Sequence, residues 1–107
     1  MIVPYRKRIT GNSTTTIVTT PCYVQQIVIS CAVPGATWTL KIQDQASPSP
    51  FVLIPEFTLS VPPDGYTNVM WGGVNYYPIP MEGGIDIVTA AGTGTREVIV
   101  IAHIVTQ

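Results

Sequence analysis

TWTLKIQ, at residues 37–43, alternates polar and apolar side chains without interruption. Successive side chains of a β-strand point to opposite faces, so this segment predicts a strand with one apolar and one polar face. The final segment, residues 97–106, differs because apolar residues occupy both of its faces. A sandwich covers only one face of each sheet. The last strand therefore predicts a second covering partner, and a neighbouring subunit is the simplest one.

The rest of the chain has the composition of an all-β domain. Thr, Val and Ile are abundant, and ten prolines and nine glycines divide the 107 residues into short segments. Further strands are predicted at residues 13–20, 23–33, 51–54, 57–61, 66–71 and 84–89, and a turn at Pro34-Gly35 predicts a hairpin of 23–33 with 37–43. We therefore expect an all-β fold, a single β-sandwich that is jelly-roll-like, with about eight short antiparallel strands.

The length fits one domain, which we divide into an N-terminal arm at 1–12 and a β-sandwich domain at 13–107. The arm contains the only charge cluster, Arg6, Lys7 and Arg8, which either binds an acidic partner or is simply solvated. A net charge of -1 gives no field to attract nucleic acid or an anionic membrane. No apolar run reaches the roughly 20 residues of a membrane-spanning helix. We predict neither nucleic acid nor membrane as a partner.

The sequence offers little material for catalysis. Charged residues make up 10% of the chain, against roughly 25% in ordinary domains. The single histidine, His103, shares a face with Ile99 and Ile101 and is interpreted as a satisfied or interfacial side chain. The acidic residues are scattered and interpreted as solvated, although Glu82 and Asp86 could join a calcium site if another loop supplied a third oxygen ligand. We predict no enzyme, no metal and no cofactor.

Two groups of side chains remain as candidates for other roles. Cys22 and Cys31 are separated by predicted strand, which places them roughly 30 Å apart and predicts free thiols. The aromatic residues Trp71, Tyr76 and Tyr77 suit either a subunit interface or, as an alternative and together with Tyr66, a stacking platform for glycans. We take these three, with the basic cluster, as candidate partner-binding residues.

Residues 77–94, with the turn PMEGG at 80–84, and the strand at 97–100 resemble the closing hairpin of small virion proteins of tailed bacteriophages. The strand at 38–42 is similar to a mid-chain strand of the same group, so the resemblance covers about half of the chain. The group includes capsid decoration, or cement, proteins. The resemblance implies a homotrimer that is made in the host cytoplasm and binds the major capsid protein on the virion surface.

Residues 9–40 contain no charged side chain. Their strands carry Thr, Ser and Gln where a free-standing protein often places Lys and Glu at its sheet edges, which predicts a surface that faces another protein. Our first hypothesis is a non-enzymatic structural virion protein that stabilises capsomer contacts. The alternative is a glycan-binding or tail- or neck-associated β-sandwich module, and a small enzyme using His103 is the third.

Overall fold

A computed structural model of the chain describes residues 2–33, 35–45, 51–63, 65–73, 75–90 and 97–105. Within these ranges the chain forms strands and no helix. The strands are β1 (Ile2–Ile9), β2 (Ser13–Val18), β3 (Cys22–Cys31), β4 (Thr37–Asp44), β5 (Val52–Ser60), β6 (Thr67–Gly72), β7 (Ile79–Met81), β8 (Ile85–Ala90) and β9 (Val98–Val105).

The strands form two antiparallel sheets. Sheet A has the order β1-β9-β3-β6, with β7 pairing to β3 beyond the end of β6, and sheet B has the order β2-β8-β4-β5. If β6 and β7 are counted as one position beside β3, this is the strand order of a jelly roll. The predicted all-β sandwich with jelly-roll-like topology is confirmed.

The core lies between the inner faces of the two sheets. Alternation places Trp38, Leu40 and Ile42 of β4 on the inner face of sheet B, and all three are fully buried, as their spacing predicts. β9 contributes its inward face from sheet A in the same way. The buried apolar side chains of sheet A are Ile9, Val24, Ile27, Ile29, Cys31, Met81, Val98, Val100, Ala102 and Ile104.

Two expected hairpins are wrong, the one predicted at Pro34-Gly35 and the closing hairpin that the resemblance implies. β3 lies in sheet A, where β9 occupies one side of it and β6 and β7 the other, while β4 lies in sheet B. The chain turns by a hydrogen bond from the Ala36 N–H to the Val33 carbonyl at 3.1 Å and crosses to the opposite sheet. β8 and β9 also lie in different sheets, and the loop between them, 91–96, falls outside the described residues. Turn chemistry predicts a reversal of direction but not which sheet the next strand joins.

Residues 2–9, which the sequence analysis placed in an arm, form the edge strand β1. Every residue of β1 pairs with β9, from Ile2 opposite Val105 to Ile9 opposite Val98. Ile9 is buried against the core, and the remainder of the strand is mostly exposed. β1 therefore presents the basic cluster on a rigid sheet.

Candidate interaction surface

The two outer faces of the sandwich differ in chemistry. Sheet B presents mainly hydroxyl, amide and charged groups to solvent, as expected of the wet face of an antiparallel sheet. Val52, Val88 and Ala90 are apolar exceptions on this face. Its polar residues, identified from the strand register, are Thr14, Thr16, Thr39, Lys41, Gln43, Thr58 and Asp86.

Sheet A presents an outer face with an apolar centre between polar residues, among them Ser30 and Asn68. Ile101 of β9, Val28 of β3 and Met70 of β6 stand side by side and form an apolar row across three strands. Ile99 and Val105 extend this surface along β9, and Met70 is 65% exposed. The two sheets are the only layers formed by the described residues, so no third layer covers this face. β9 is thus apolar on both sides and covered on one, as its sequence predicts.

Polar groups on this face bond to one another. His103 Nδ1 lies 2.9 Å from Gln26 Oε1, and the Gln26 amide donates to Met70 Sδ at 2.8 Å. His103 lies on the same face as Ile99 and Ile101, as predicted from the alternation. It does not line the cleft beside Cys22 and Met81 or the one beside Ser30 and Glu97. The imidazole therefore belongs to a row of side chains that ties β9, β3 and β6 together.

The basic cluster is divided between the two faces of β1. Arg6 and Arg8 stand on the outer face, whereas Lys7 points to the other side. Arg8 forms an ion pair with Glu97 at 2.9 Å, and both side chains are substantially exposed. An exposed pair of this kind contributes about 0–1 kcal/mol. Arg6 and Arg8 thus lie at the margin of the apolar face, and Arg8 already has an internal partner.

The structure also separates the aromatic candidates. Trp71 pairs with Ile27 in register, is partly buried and packs against the core. Tyr76 and Tyr77 are 65% and 92% exposed. The turn that carries them is held by the Gln25 side-chain amide, which donates to the carbonyl oxygens of Gly73 and, at 2.7 Å, of Tyr76.

A cleft of about 430 Å³ opens at one end of the sandwich. Tyr5, Cys22, Tyr23 and Met81 line it, together with Glu82. Burial raises the pKa of the Cys22 thiol, and the negative charge of Asp44 raises it further. Cys22 and Cys31 are free, as predicted, and the raised pKa makes Cys22 a poor nucleophile at neutral pH.

Asp44 does not fit the interpretation of the acids as solvated. It is 2% exposed, and its carboxylate accepts backbone N–H groups from Glu82 at 2.6 Å and Gly83 at 2.8 Å. Asp44 therefore ties β4 to the turn before β8. Asp86 instead accepts a hydrogen bond from the Thr16 hydroxyl at 2.7 Å. No group of three metal-ligating side chains occurs in the described part of the chain.

Comparison with protein-family models gives no match for this sequence, and comparison with curated proteins gives none either. No helix that could cross a membrane is present in the described ranges. The candidate interaction surface is therefore defined by its geometry alone. Sequence reasoning found its β9 part but missed Val28 and Met70, whose strands carry weaker alternation. A signal for the β6 part was present, because residues 65–81 contain no charged side chain.

Proposed function

We propose that this chain is a non-enzymatic structural subunit of a virion, which binds other protein chains through the apolar outer face of sheet A. The observation that carries the proposal is the contrast between the two outer faces. One is polar, as in a protein surrounded by water, and the other has the Ile101–Val28–Met70 row across its centre. An exposed apolar patch rimmed by polar residues is typical of a protein–protein interface.

The size of this surface suits repeated, individually modest contacts. Complete burial of an exposed Val, Ile or Met side chain contributes about 1.5–3 kcal/mol. Met70 is 65% exposed and has most of that left to gain, whereas the other residues of this face are already mostly buried and have at most about a third left. Five such residues, Val28, Met70, Ile99, Ile101 and Val105, supply several kcal/mol before the cost of association. Repetition over a symmetric shell lets contacts of this strength add through avidity.

A capsid is the partner favoured by the resemblance to tailed-phage decoration proteins, and jelly rolls are common among viral capsid domains. In this proposal the outer face of sheet A contacts the major capsid protein and copies of this chain in a homo-oligomer. The polar outer face of sheet B then faces solvent, so that β3 is the part of the uncharged run 9–40 that meets a partner, whereas β2 and the start of β4 do not. Arg6 and Arg8 lie where they would meet acidic groups of the partner at the rim.

The test compares two lysine substitutions on opposite faces of the sandwich. Ile101→Lys places a charge at the centre of the apolar face, and Thr39→Lys places one on the polar face of sheet B. Virus particles are purified from the natural source, stripped of the chain and incubated with each variant. We expect Thr39→Lys to co-sediment with capsids like the unmodified chain and Ile101→Lys to lose at least about tenfold in affinity.

Absence of the unmodified chain from purified particles would refute the virion assignment. Equal binding by Ile101→Lys, with its fold intact by circular dichroism, would refute the role of this face. The two outcomes are distinguishable, because the first concerns the partner and the second the surface.

The exposed tyrosines favour a second candidate, a glycan-binding module. Tyr77 is the most exposed large apolar side chain among the described residues, and Gln25 fixes the turn beside it. Aromatic rings displayed in this way suit stacking on sugar rings. A glycan array probed with the unmodified chain, Tyr77→Ala and the control Tyr23→Ala tests this candidate. Binding lost only in Tyr77→Ala would support it, and an array without any signal would remove it.

A further inference from the structure

We propose that the open edge of β6 pairs with the β6 edge of a second copy of this chain, so that sheet A continues across a two-fold axis into its partner. The inference concerns a sheet edge, whereas the proposed function concerns a sheet face. It does not depend on the virion assignment. Its basis is the chemistry of the four sheet edges, the direction of the β6 backbone groups and the position of the exposed aromatic residues.

The edges of the sandwich are protected unequally. β1 carries Pro4 and three basic residues, and β5 carries Pro55 and Glu56, which are the usual means of preventing edge-to-edge pairing. β2 has a break in register between Thr16 and Val18 and packs close to β1. β6 has no charge, no proline and no register break, and none of the described strands pairs with its outer edge.

The region around β6 also concentrates exposed apolar side chains. Of the ten large apolar side chains that are exposed in the described ranges, half lie within twelve residues of one another around β6. Exposure on both faces of an edge strand indicates that an added strand would cover it from above and below. The five are Tyr66, Val69, Met70, Tyr76 and Tyr77.

The backbone direction fixes a register for the second copy. Gly73 donates its N–H to the Gln25 carbonyl at 3.1 Å, which extends the β3–β6 ladder by one pair. Alternate residues of an antiparallel strand bond to one neighbour, and the residues between them point to the other side. Counting back from Gly73, the backbone groups of Gly72, Met70 and Asn68 point to the open edge.

A two-fold antiparallel contact satisfies these groups together. If Met70 stands opposite Met70 of the second copy, Asn68 stands opposite Gly72, and about six backbone hydrogen bonds form. The same register keeps the outer faces of the two copies on one side. Tyr66, just before β6 in one copy, then approaches the turn that carries Tyr76 and Tyr77 in the other.

The lack of charge at the β6 edge allows a second copy of this chain to pair there. Residues 65–81 are uncharged, so two β6 edges can meet without electrostatic repulsion. Two β1 edges would repel each other, because each carries three basic residues. Pairing through β6 would also bring two apolar rows, each formed by Ile101, Val28 and Met70, into one continuous surface. A self-complementary contact of this kind is the commonest way in which soluble proteins form dimers.

A cysteine cross-link tests the register directly. Directly opposite, hydrogen-bonded residues have Cα atoms about 5.5 Å apart, within the range of a disulfide. Met70→Cys is made in a Cys22→Ser background and treated with oxidised glutathione, which accepts the electrons of the two thiols as the bond forms. We expect Met70→Cys to form a covalent dimer. Val52→Cys, which places the thiol at the protected edge β5, should give at least about tenfold less covalent dimer.

Sedimentation equilibrium supplies an independent readout. Met70→Lys sets like charges opposite each other across the two-fold axis and should weaken self-association at least about tenfold, whereas Val52→Lys should associate like the unmodified chain. The 65% exposure of Met70 allows either side chain without disturbing the core. An unmodified chain that stays monomeric, or a trimer whose Met70→Cys variant does not cross-link, would overturn the proposal.

Discussion

Replacing Gly84 with Ala should destabilise the fold by a large fraction of its total stability. Gly84 has φ +128°, and a Cβ added there would lie 2.0 Å from the carbonyl oxygen of Val18, where ordinary contact begins at 3.4 Å. The start of β8 would have to move about 1.4 Å from β2, or Ala would have to leave its native backbone conformation. Backbone strain of about 1–3 kcal/mol and overpacking of about 1–3 kcal/mol together give about 2–6 kcal/mol. The free energy of unfolding of the whole domain is expected to be about 5–15 kcal/mol.

Urea denaturation followed by circular dichroism measures the change in the free energy of unfolding. Gly11→Ala is the matched control, because no atom lies within 4 Å of its added Cβ and its φ is not in the restricted positive range. We expect the control to stay within about 0.5 kcal/mol of the unmodified chain. If Gly84→Ala matched the control at an unchanged m-value, the close approach of Gly84 to Val18 would be refuted.

Three further predictions concern the cleft and the turns. Asp44→Asn should lower the free energy of unfolding by about 1–3 kcal/mol, because the amide NH₂ would face a backbone N–H of Glu82 or Gly83 that now donates to the carboxylate. An unchanged midpoint of urea denaturation would contradict this. Alkylation of Cys22 by iodoacetamide should reach half its maximal rate at a higher pH than in the unfolded chain, since a raised pKa leaves less thiolate, and Asp44→Asn should lower that pH. Gln25→Ala should speed hydrogen exchange in the turn that its amide holds, whereas equal rates would show that the turn is stable without it.

The sequence predicts the class of fold because the informative strands have a clear period. Alternation in β4 correctly identifies Trp38, Leu40 and Ile42 as core. β9 is apolar on both faces and the sandwich covers one of them, while the second covering partner that its sequence predicts stays a prediction. β1 lacks such a period, since Pro4 and the basic cluster interrupt it, and only pairing with β9 makes it a strand. The sequence also does not predict which of the two sheets each strand joins, because this depends on contacts between strands that are distant in the chain.

The interaction surface is predictable only in part for the same reason. The sequence of β9 predicts its apolar outer side. Val28 and Met70 lie beside Ile101 only because of the strand register, which local sequence patterns do not encode. Asp44 looks like a loop acid in sequence and becomes a buried acceptor because the turn after β7 folds over it. Its role depends on tertiary contact and not on its neighbours in the chain.

The central position of β9 has a consequence for how the protein is made. β9 lies between β1 and β3 in sheet A although it is the last strand in chain order, and β8 likewise joins β2 to β4 in sheet B. During synthesis β1 and β2 therefore lack the strands they pair with, and β3 and β4 lack one of their two neighbours, until about the last fifth of the chain has left the ribosome. Long-range pairing of this kind folds slowly and exposes unpaired strands meanwhile. Hydroxyl-rich, uncharged segments such as β2 would have to remain soluble through that interval, which makes chaperone contact during translation a measurable expectation for this chain.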